Sequence, residues 1–352
     1  MVSGMRLSVL DLVPVRSDQS TGDAISATRR LATVAEDAGY HRYWLAEHHN
    51  MPAVAATNPP LLIALVAAAT SRIRVGSGGV MLPNHAPLVI AEQFALLEAA
   101  FPGRIDLGIG RAPGTDPVTG YALRHGAGGV PEDAVARFPG YVDNVIAMMS
   151  PGGVGLQLNG RVHSLHATPH ATSRPPVWLL GSSDYSARLA AERGLPYVFA
   201  HHFSGSGTAE ALALYRDGFQ PSEELSAPQT FLTVNVVVAS SQEEADALAL
   251  PQLQAMVTLR TGGDLRPQRL VEDAQADPVP GAHEALVDAM RRRWVIGTPS
   301  YAAARLRELA ETYAVDEVMV HPVAGAFAGT PVDASPAREE TLRTLAAELA
   351  TQ

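Results

Sequence analysis

Residues 43–50 read Tyr-Trp-Leu-Ala-Glu-His-His-Asn. An apolar, aromatic run ends abruptly in a carboxylate (Glu47), two imidazoles (His48, His49) and an amide (Asn50). That is the pattern of a buried strand whose carboxyl end opens into a reactive mouth, where α/β barrels and open sheets carry their chemistry. Histidine is also the side chain most readily tuned to trade protons near neutral pH. Two solvated loop histidines would spell the same letters. Strand alternation sends His48 to one face and Glu47 and His49 to the other. Neither this pair nor His201-His202 therefore makes a natural chelate, and no metal is expected.

A second set of residues suits an anion. Arg111 closes the run 105–110 and carries a permanent charge that grips a phosphate or carboxylate with two bonds. Gly181-Ser182-Ser183 leads into a helix start, where free backbone N–H groups and the helix dipole favour negative charge. A plain N-cap explains either serine alone, and an ion pair with Asp116 explains Arg111 alone. Taken together, on neighbouring strands, they point to a phosphate pocket. Gly78-Gly79 interrupts a strand pattern, which marks either a bulge that relieves packing or the close approach of another backbone or ligand. A planar ring system fits against such a backbone.

The elements that must position these residues alternate along the chain. Strands are expected at 7–12, 43–46, 73–83, 105–110, 177–180, 197–200, 231–239 and 317–320. Helices are expected from Asp23 to a stop at Gly39, then over 61–70, 87–100, 132–149, 185–193, 209–218 and 298–313, with others starting at Gln242 and Ala337. Asn159-Gly160 turns a short hairpin over 156–165. Eight strands, most followed by a helix, predict one (β/α)8 TIM barrel spanning residues 1–352. A doubly wound sheet fits poorly, because residues 10–14 hold no glycine fingerprint. Residues 251–296 break the rhythm with several prolines, Gly262-Gly263 and Arg291-Arg292-Arg293, and are expected to be an irregular, mobile lid inserted before the last βα unit. The helix over 61–70 is apolar on nearly every face. Its outer side needs a second cover, so a homodimer is expected through it and the 87–100 helix.

Composition bounds the alternatives. The chain has 352 residues, 47% of them hydrophobic and 18% charged, enough apolar material for a large core. It has no cysteine, which excludes disulfides, thiolate metal sites and cysteine nucleophiles. Net charge is −10 with no basic block, so nucleic acid is not an expected partner. The first ten residues and the apolar run at 61–69 are too short to cross a bilayer, and a cytoplasmic protein is expected.

Over nearly its whole length the chain resembles the bacterial luciferase-like flavin monooxygenases. The landmarks are residues 43–49, the run Val75-Gly76-Ser77-Gly78-Gly79-Val80-Met81-Leu82-Pro83, the run from Arg104 to Arg111, Gly194-Leu195-Pro196, and Val295-Ile296-Gly297-Thr298-Pro299. The resemblance implies a barrel that binds FMN as FMNH2 and activates O2 as a flavin C4a-peroxide to oxidise a small organic substrate. It makes His48 the catalytic histidine and Gly78-Gly79 the site of a non-proline cis peptide under the flavin ring. It makes Arg111, Ser182 and Ser183, with Gly181 beside them, phosphate-side ligands. The loop 111–116 and Arg124 look like the non-luminescent branch, and Gly110 stands where the luminescent enzyme has a reactive cysteine, so light emission is not expected. No NAD(P)H fingerprint is visible, so a separate NAD(P)H:flavin reductase is the expected source of FMNH2. Two rivals stand beside this reading: an oxidoreductase that uses the deazaflavin F420 on the same barrel, and a flavin-binding protein without turnover.

Overall fold

In the computed structural model, described for residues 4–111, 117–125, 135–204 and 206–351, eight parallel strands close a barrel. They are β1 (Arg6–Asp11), β2 (Arg42–Leu45), β3 (Arg74–Ser77), β4 (Ile105–Gly110), β5 (Val177–Gly181), β6 (Tyr197–Phe199), β7 (Thr230–Val238) and β8 (Glu317–Pro322). Each pairs with the next, and β8 returns to β1 through the register Arg6↔Glu317 to Val9↔Val320. Helices such as Thr21–Asp37, Pro59–Ala69, Pro87–Ala100 and Pro299–Thr312 separate the strands. Local sequence sets their ends. Ser20 and Asp23 form a capping box at the first, Asn58 caps the second, and Gly194 takes the left-handed conformation (φ 60°) that stops Asp184–Arg193. The expected hairpin is present over Val154–Leu158 and Arg161–Leu165, with Asn159 and Gly160 both at positive φ.

Alternation along the strands fills the barrel in layers. Leu10, Trp44, Trp178, Val198, Phe231 and Met319 pack as one interior cluster. Beneath it, at the amino ends of the strands, lies a buried ionic plug. Arg42 bonds Asp106 at 2.9 Å and Glu317 at 2.7 Å, Arg74 bonds Asp106 at 2.6 Å, and Ser8 donates to Glu317 at 2.6 Å. The Arg42 guanidinium also lies 4.8 Å from the Trp178 ring centroid. The carboxyl ends, on the other side of the aromatic layer, are left for the mouth.

Several boundaries differ from the sequence reading. The single strand expected over 73–83 is β3, then the Gly78-Gly79 step, then a two-residue strand Val80–Met81 and a 3-10 turn Leu82–Asn84. Gly76 pairs with Asp106 while Val80 pairs with Ile109, so this side carries one extra residue, a bulge. The helix expected over 132–149 is Phe138–Met148, and residues 132–134 and the loop 112–116 lie outside the described residues, as does the Arg124 side chain.

Residues 251–296 hold more regular structure than their prolines and glycines suggest. Helix Gln242–Arg260 runs straight through Pro251, helices follow at Val271–Ala276 and Glu284–Arg291, and Val295–Gly297 is a strand. The reason is a second apolar cluster in which Ala245, Leu248, Leu253 and Val257 of the long helix meet Val271, Met290 and Trp294. Burying that face outweighs the lost backbone bond of one internal proline. The strand Val295–Gly297 pairs with Val236–Val238, continuing the edge of β7 that β6 has left at Leu232. No helix among the described residues is long and apolar enough to cross a membrane.

Candidate active site

A cavity of about 500 Å³ opens at the carboxyl ends of the strands. All seven residues that the family resemblance assigned to the site line it: His48, Gly78, Gly79, Arg111, Gly181, Ser182 and Ser183. They come from the ends of β2, β3, β4 and β5, four consecutive strands of the wall.

His48 faces inward in the same alternation as Arg42, Trp44 and Ala46, and its backbone N–H is fixed by a 2.7 Å bond to the Ala56 carbonyl. Its buried Nδ1 has no hydrogen-bond partner among the described residues. Burial disfavours the imidazolium and pulls the pKa down to about 4; His49 pulls the same way, and Glu47 opposes them. The near-neutral titration expected of this imidazole is therefore displaced by its burial. At pH 7 it is a neutral ring that offers one donor and one acceptor.

Glu47 and His49 turn away from His48, as alternation requires. The buried Glu47 carboxylate accepts from His49 Nε2 and His85 Nε2, both at 2.7 Å, and from the Met81 N–H at 2.9 Å. Burial alone would raise its pKa, but these bonds hold it down at about 2. The three side chains bring their donor atoms within 4.8 Å of one another, a set able to hold a divalent ion. With Glu47 ionised, both imidazoles instead donate to it, tying the end of β2 to the turn after Val80–Met81.

Gly78 and Gly79 are joined by a cis peptide bond. A Cβ at Gly79 would sit 2.8 Å from the Gly108 carbonyl oxygen, and one at Gly78 would sit 2.7 Å from Leu10 Cδ1. Both earlier readings of this pair hold: it is a bulge, and another backbone approaches it closely. The result is a cavity wall without side chains.

On the adjoining side, the Arg111 guanidinium lies 4.0 Å from the Tyr185 ring centroid, and Tyr185 sits in the first turn of helix Asp184–Arg193. Ser183 is that helix's N-cap residue, yet its side chain makes no capping bond. The alternative of a plain N-cap is not realised there. The alternative partner for Arg111, Asp116, lies outside the described residues.

Of the second histidine pair, only His202 lines the cavity. His201 turns outward to Thr208 and the Tyr313 ring. His202 Nδ1 meets Thr233 Oγ1 at 2.8 Å, Asn235 donates to the His202 carbonyl at 2.8 Å, and His321 Nδ1 meets Asn235 Oδ1 at 2.8 Å. Burial takes His202 down to about 3 and moves His321 well below its ordinary range. Sequence reading missed Asn235, His321 and His85. Asn235 had a signal, an amide at an inward position of an otherwise apolar strand. His321 lay one residue beyond the expected end of β8. His85 had none, since it acts through a turn.

Barrel and mouth together are those of an α/β-barrel protein that takes its ligand at the strand carboxyl ends, and the relatives supply the class. The chain belongs to the luciferase-like monooxygenases, whose family model matches residues 5–316. It is 41% identical over 318 residues to a luciferase-like monooxygenase of Escherichia coli (strain K12), covering 89% of this chain and 90% of that one. It is 43% identical over 316 residues to protein YvbT of Bacillus subtilis (strain 168), covering 90% of each. The N-acetyl-S-alkylcysteine monooxygenase of the same organism is 31% identical, covering 90% of this chain and 92% of that one. Among solved structures, apo-MsnO8 superposes with a TM-score of 0.84 at 30% identity, covering 99% of each chain. The oxygenating constituent of 3,6-diketocamphane monooxygenase from Pseudomonas putida, in complex with FMN, shares the fold at TM-score 0.70 and 20% identity, covering 99% and 98%. An F420-dependent secondary alcohol dehydrogenase does so at 0.64 and 14%, covering 97% and 99%.

Proposed function

We propose that the protein is a two-component monooxygenase that binds FMN as FMNH2, supplied by a separate NAD(P)H:flavin reductase, and uses O2 to oxidise a small organic molecule. The observation that carries the reading is the buried, neutral His48 ring, with an unsatisfied Nδ1, on the same cavity as a glycine wall and an arginine beside an uncapped helix start. A ring system stacked on Gly78-Gly79 and a phosphate at Arg111, Ser182 and Ser183 would use all three. Reduced flavin, when bound, supplies the electrons that activate O2. The chain's own residues orient the ring, hold the phosphate, exclude water and keep one imidazole ready to give or take a proton. The 31% identity to a monooxygenase of N-acetyl-S-alkylcysteines suggests a thioether or similarly soft centre as the group oxidised.

Equilibrium titration with FMN, FMNH2 and F420 tests the cofactor. FMN or FMNH2 should bind, F420 should bind weakly, and Arg111→Ala should weaken flavin binding at least about tenfold, since a charge-assisted contact contributes roughly 1.5–3 kcal/mol. Unchanged flavin affinity in Arg111→Ala would remove the phosphate assignment, and a preference for F420 would replace the function.

A homodimer is part of the same proposal. Leu61 and Leu65 on helix Pro59–Ala69 are 67% and 43% exposed, and Val89 and Leu96 on helix Pro87–Ala100 are 49% and 57% exposed. The two helices are in contact, and a two-fold contact through them would cover these four exposed apolar side chains. Light scattering at micromolar concentration should give twice the chain mass, and a monomer mass would refute the contact.

A further inference from the structure

We infer that the oxidised substrate is an anion, a small amphiphile with an apolar body and a carboxylate-like end, and that Arg266 receives that end. The inference rests on the cavity being the flavin and substrate site. Four charged side chains line it among the described residues, three arginines and one carboxylate, in a chain whose net charge is −10. Arginines thus outnumber carboxylates in the lining of an acidic protein, and those not paired internally attract anions there.

Each of these charges can be followed to its partners. Glu47 is satisfied by two imidazoles and a backbone N–H. Arg338 is buried and spent on Asp11 at 2.7 Å and the Pro322 carbonyl at 2.9 Å. Arg111 stands beside the uncapped helix start, the place proposed for the flavin phosphate. Arg266 remains, and it makes no ion pair or hydrogen bond with any described residue. It is not on a loose end. Two residues on, Gln268 donates its N–H to the Val15 carbonyl at 2.7 Å, accepts from the Ser17 N–H at 2.8 Å, and reaches Gln252 with its side chain at 3.0 Å. The backbone carrying Arg266 is therefore fixed to the loop after β1, across the mouth.

The same lining carries an apolar set, Met51, Val54, Met256, Leu259 and Leu265, beside the amides of Gln252 and Gln268. Flexible thioether and leucine side chains accommodate varied apolar bodies. A molecule that satisfies both features places its apolar, oxidisable part inward and its negative end at the rim. The guanidinium fork suits a carboxylate better than it suits a hydroxyl or an ester.

The test measures binding without turnover. N-acetyl-S-benzylcysteine and 4-phenylbutanoate are each titrated against their methyl esters, by calorimetry, on the protein with and without FMN. The better acid should bind the wild type at least about tenfold more tightly than its ester, with the preference falling as salt rises. Arg266→Ala should abolish the preference without changing ester binding, and Arg266→Lys should keep part of it. FMN affinity, measured separately, should stay at the wild-type value in both variants, which reports an intact mouth. If neither acid outbinds its ester, or if Arg266→Ala keeps the preference, the inference is overturned. Failure of FMN to bind would instead sink the flavin reading, while the acid-against-ester comparison on the FMN-free protein still decides the role of Arg266.

Discussion

His48→Ala should lower turnover about 10²–10⁴-fold, the usual cost of losing a general acid or base. The fold and much of the flavin affinity should survive, because the ring's Nδ1 supports no neighbour and only its backbone N–H anchors the chain. Reduced flavin should then react with O2 without oxidising substrate, so hydrogen peroxide should appear in place of product. Stopped-flow absorbance together with product yield measures both. The pH arm follows from burial. A base whose pKa is depressed to about 4 stays neutral from pH 7 down to roughly that value, so no activity limb near pH 6.5 should belong to His48. His49→Ala is the control. It removes one of two imidazole donors from the buried Glu47 carboxylate, which costs about 1–3 kcal/mol of stability, while leaving His48 in place. Wild-type turnover in His48→Ala, with the loss falling on His49→Ala, would show that the other imidazole carries the chemistry.

Arg42→Met should destabilise the barrel by about 3–5 kcal/mol, the typical cost of removing one partner from a buried ion pair. Arg42 is almost fully buried and bonds two carboxylates that are equally buried. Its loss leaves Glu317 with Ser8 and a distant, half-exposed Arg6, and leaves Asp106 with Arg74 and the Trp44 indole N–H. The methionine replaces the volume against Trp178, so the effect reads the charge rather than a cavity. Urea unfolding followed by tryptophan fluorescence measures it. A loss below about 1 kcal/mol would mean that water reaches the plug and solvates the orphaned carboxylates.

The barrel was legible because strand and helix periods alternate cleanly and because the strands end in polar residues. The same property made the mouth legible: once the strands were placed, Glu47 through His49, Arg111 and the serines at 182–183 had to share one rim. Two kinds of feature were not legible. Contacts made through turns, such as His85 reaching Glu47, depend on loop geometry that no periodicity encodes. Segments whose stability comes from packing rather than local propensity were read only in part: a helix start at Gln242 was expected, its continuation through Pro251 was not. Helix Gln242–Arg260 carries a proline, and its rationale is a face buried against Met290 and Trp294 far along the chain. Charge state was hidden for the same reason. The His48 side chain looks like an ordinary near-neutral titrating group until the depth of its burial is known.

One wall of the mouth has no rotamers. At the inward positions of β3 and β4 and the step after β3, the chain has Gly76, Gly78, Gly108 and Gly110. A Cβ on Gly76 would meet Asp106 at 2.6 Å, and one on Gly108 would meet the Ser77 carbonyl at 2.0 Å. Gly76 and Gly108 thus admit close neighbours beneath the mouth, Trp44 among them, while Gly78, Gly79 and Gly110 are the bare backbone that lines it. A surface of bare backbone cannot adjust to a new ligand by turning a side chain, nor be reshaped by a conservative substitution. A change in what the cavity accepts would therefore run through side chains elsewhere in its lining, where Met51, Met256 and Leu259 can re-pack one at a time. The molecule divides its mouth into a face of fixed backbone and a face of side chains that can adjust.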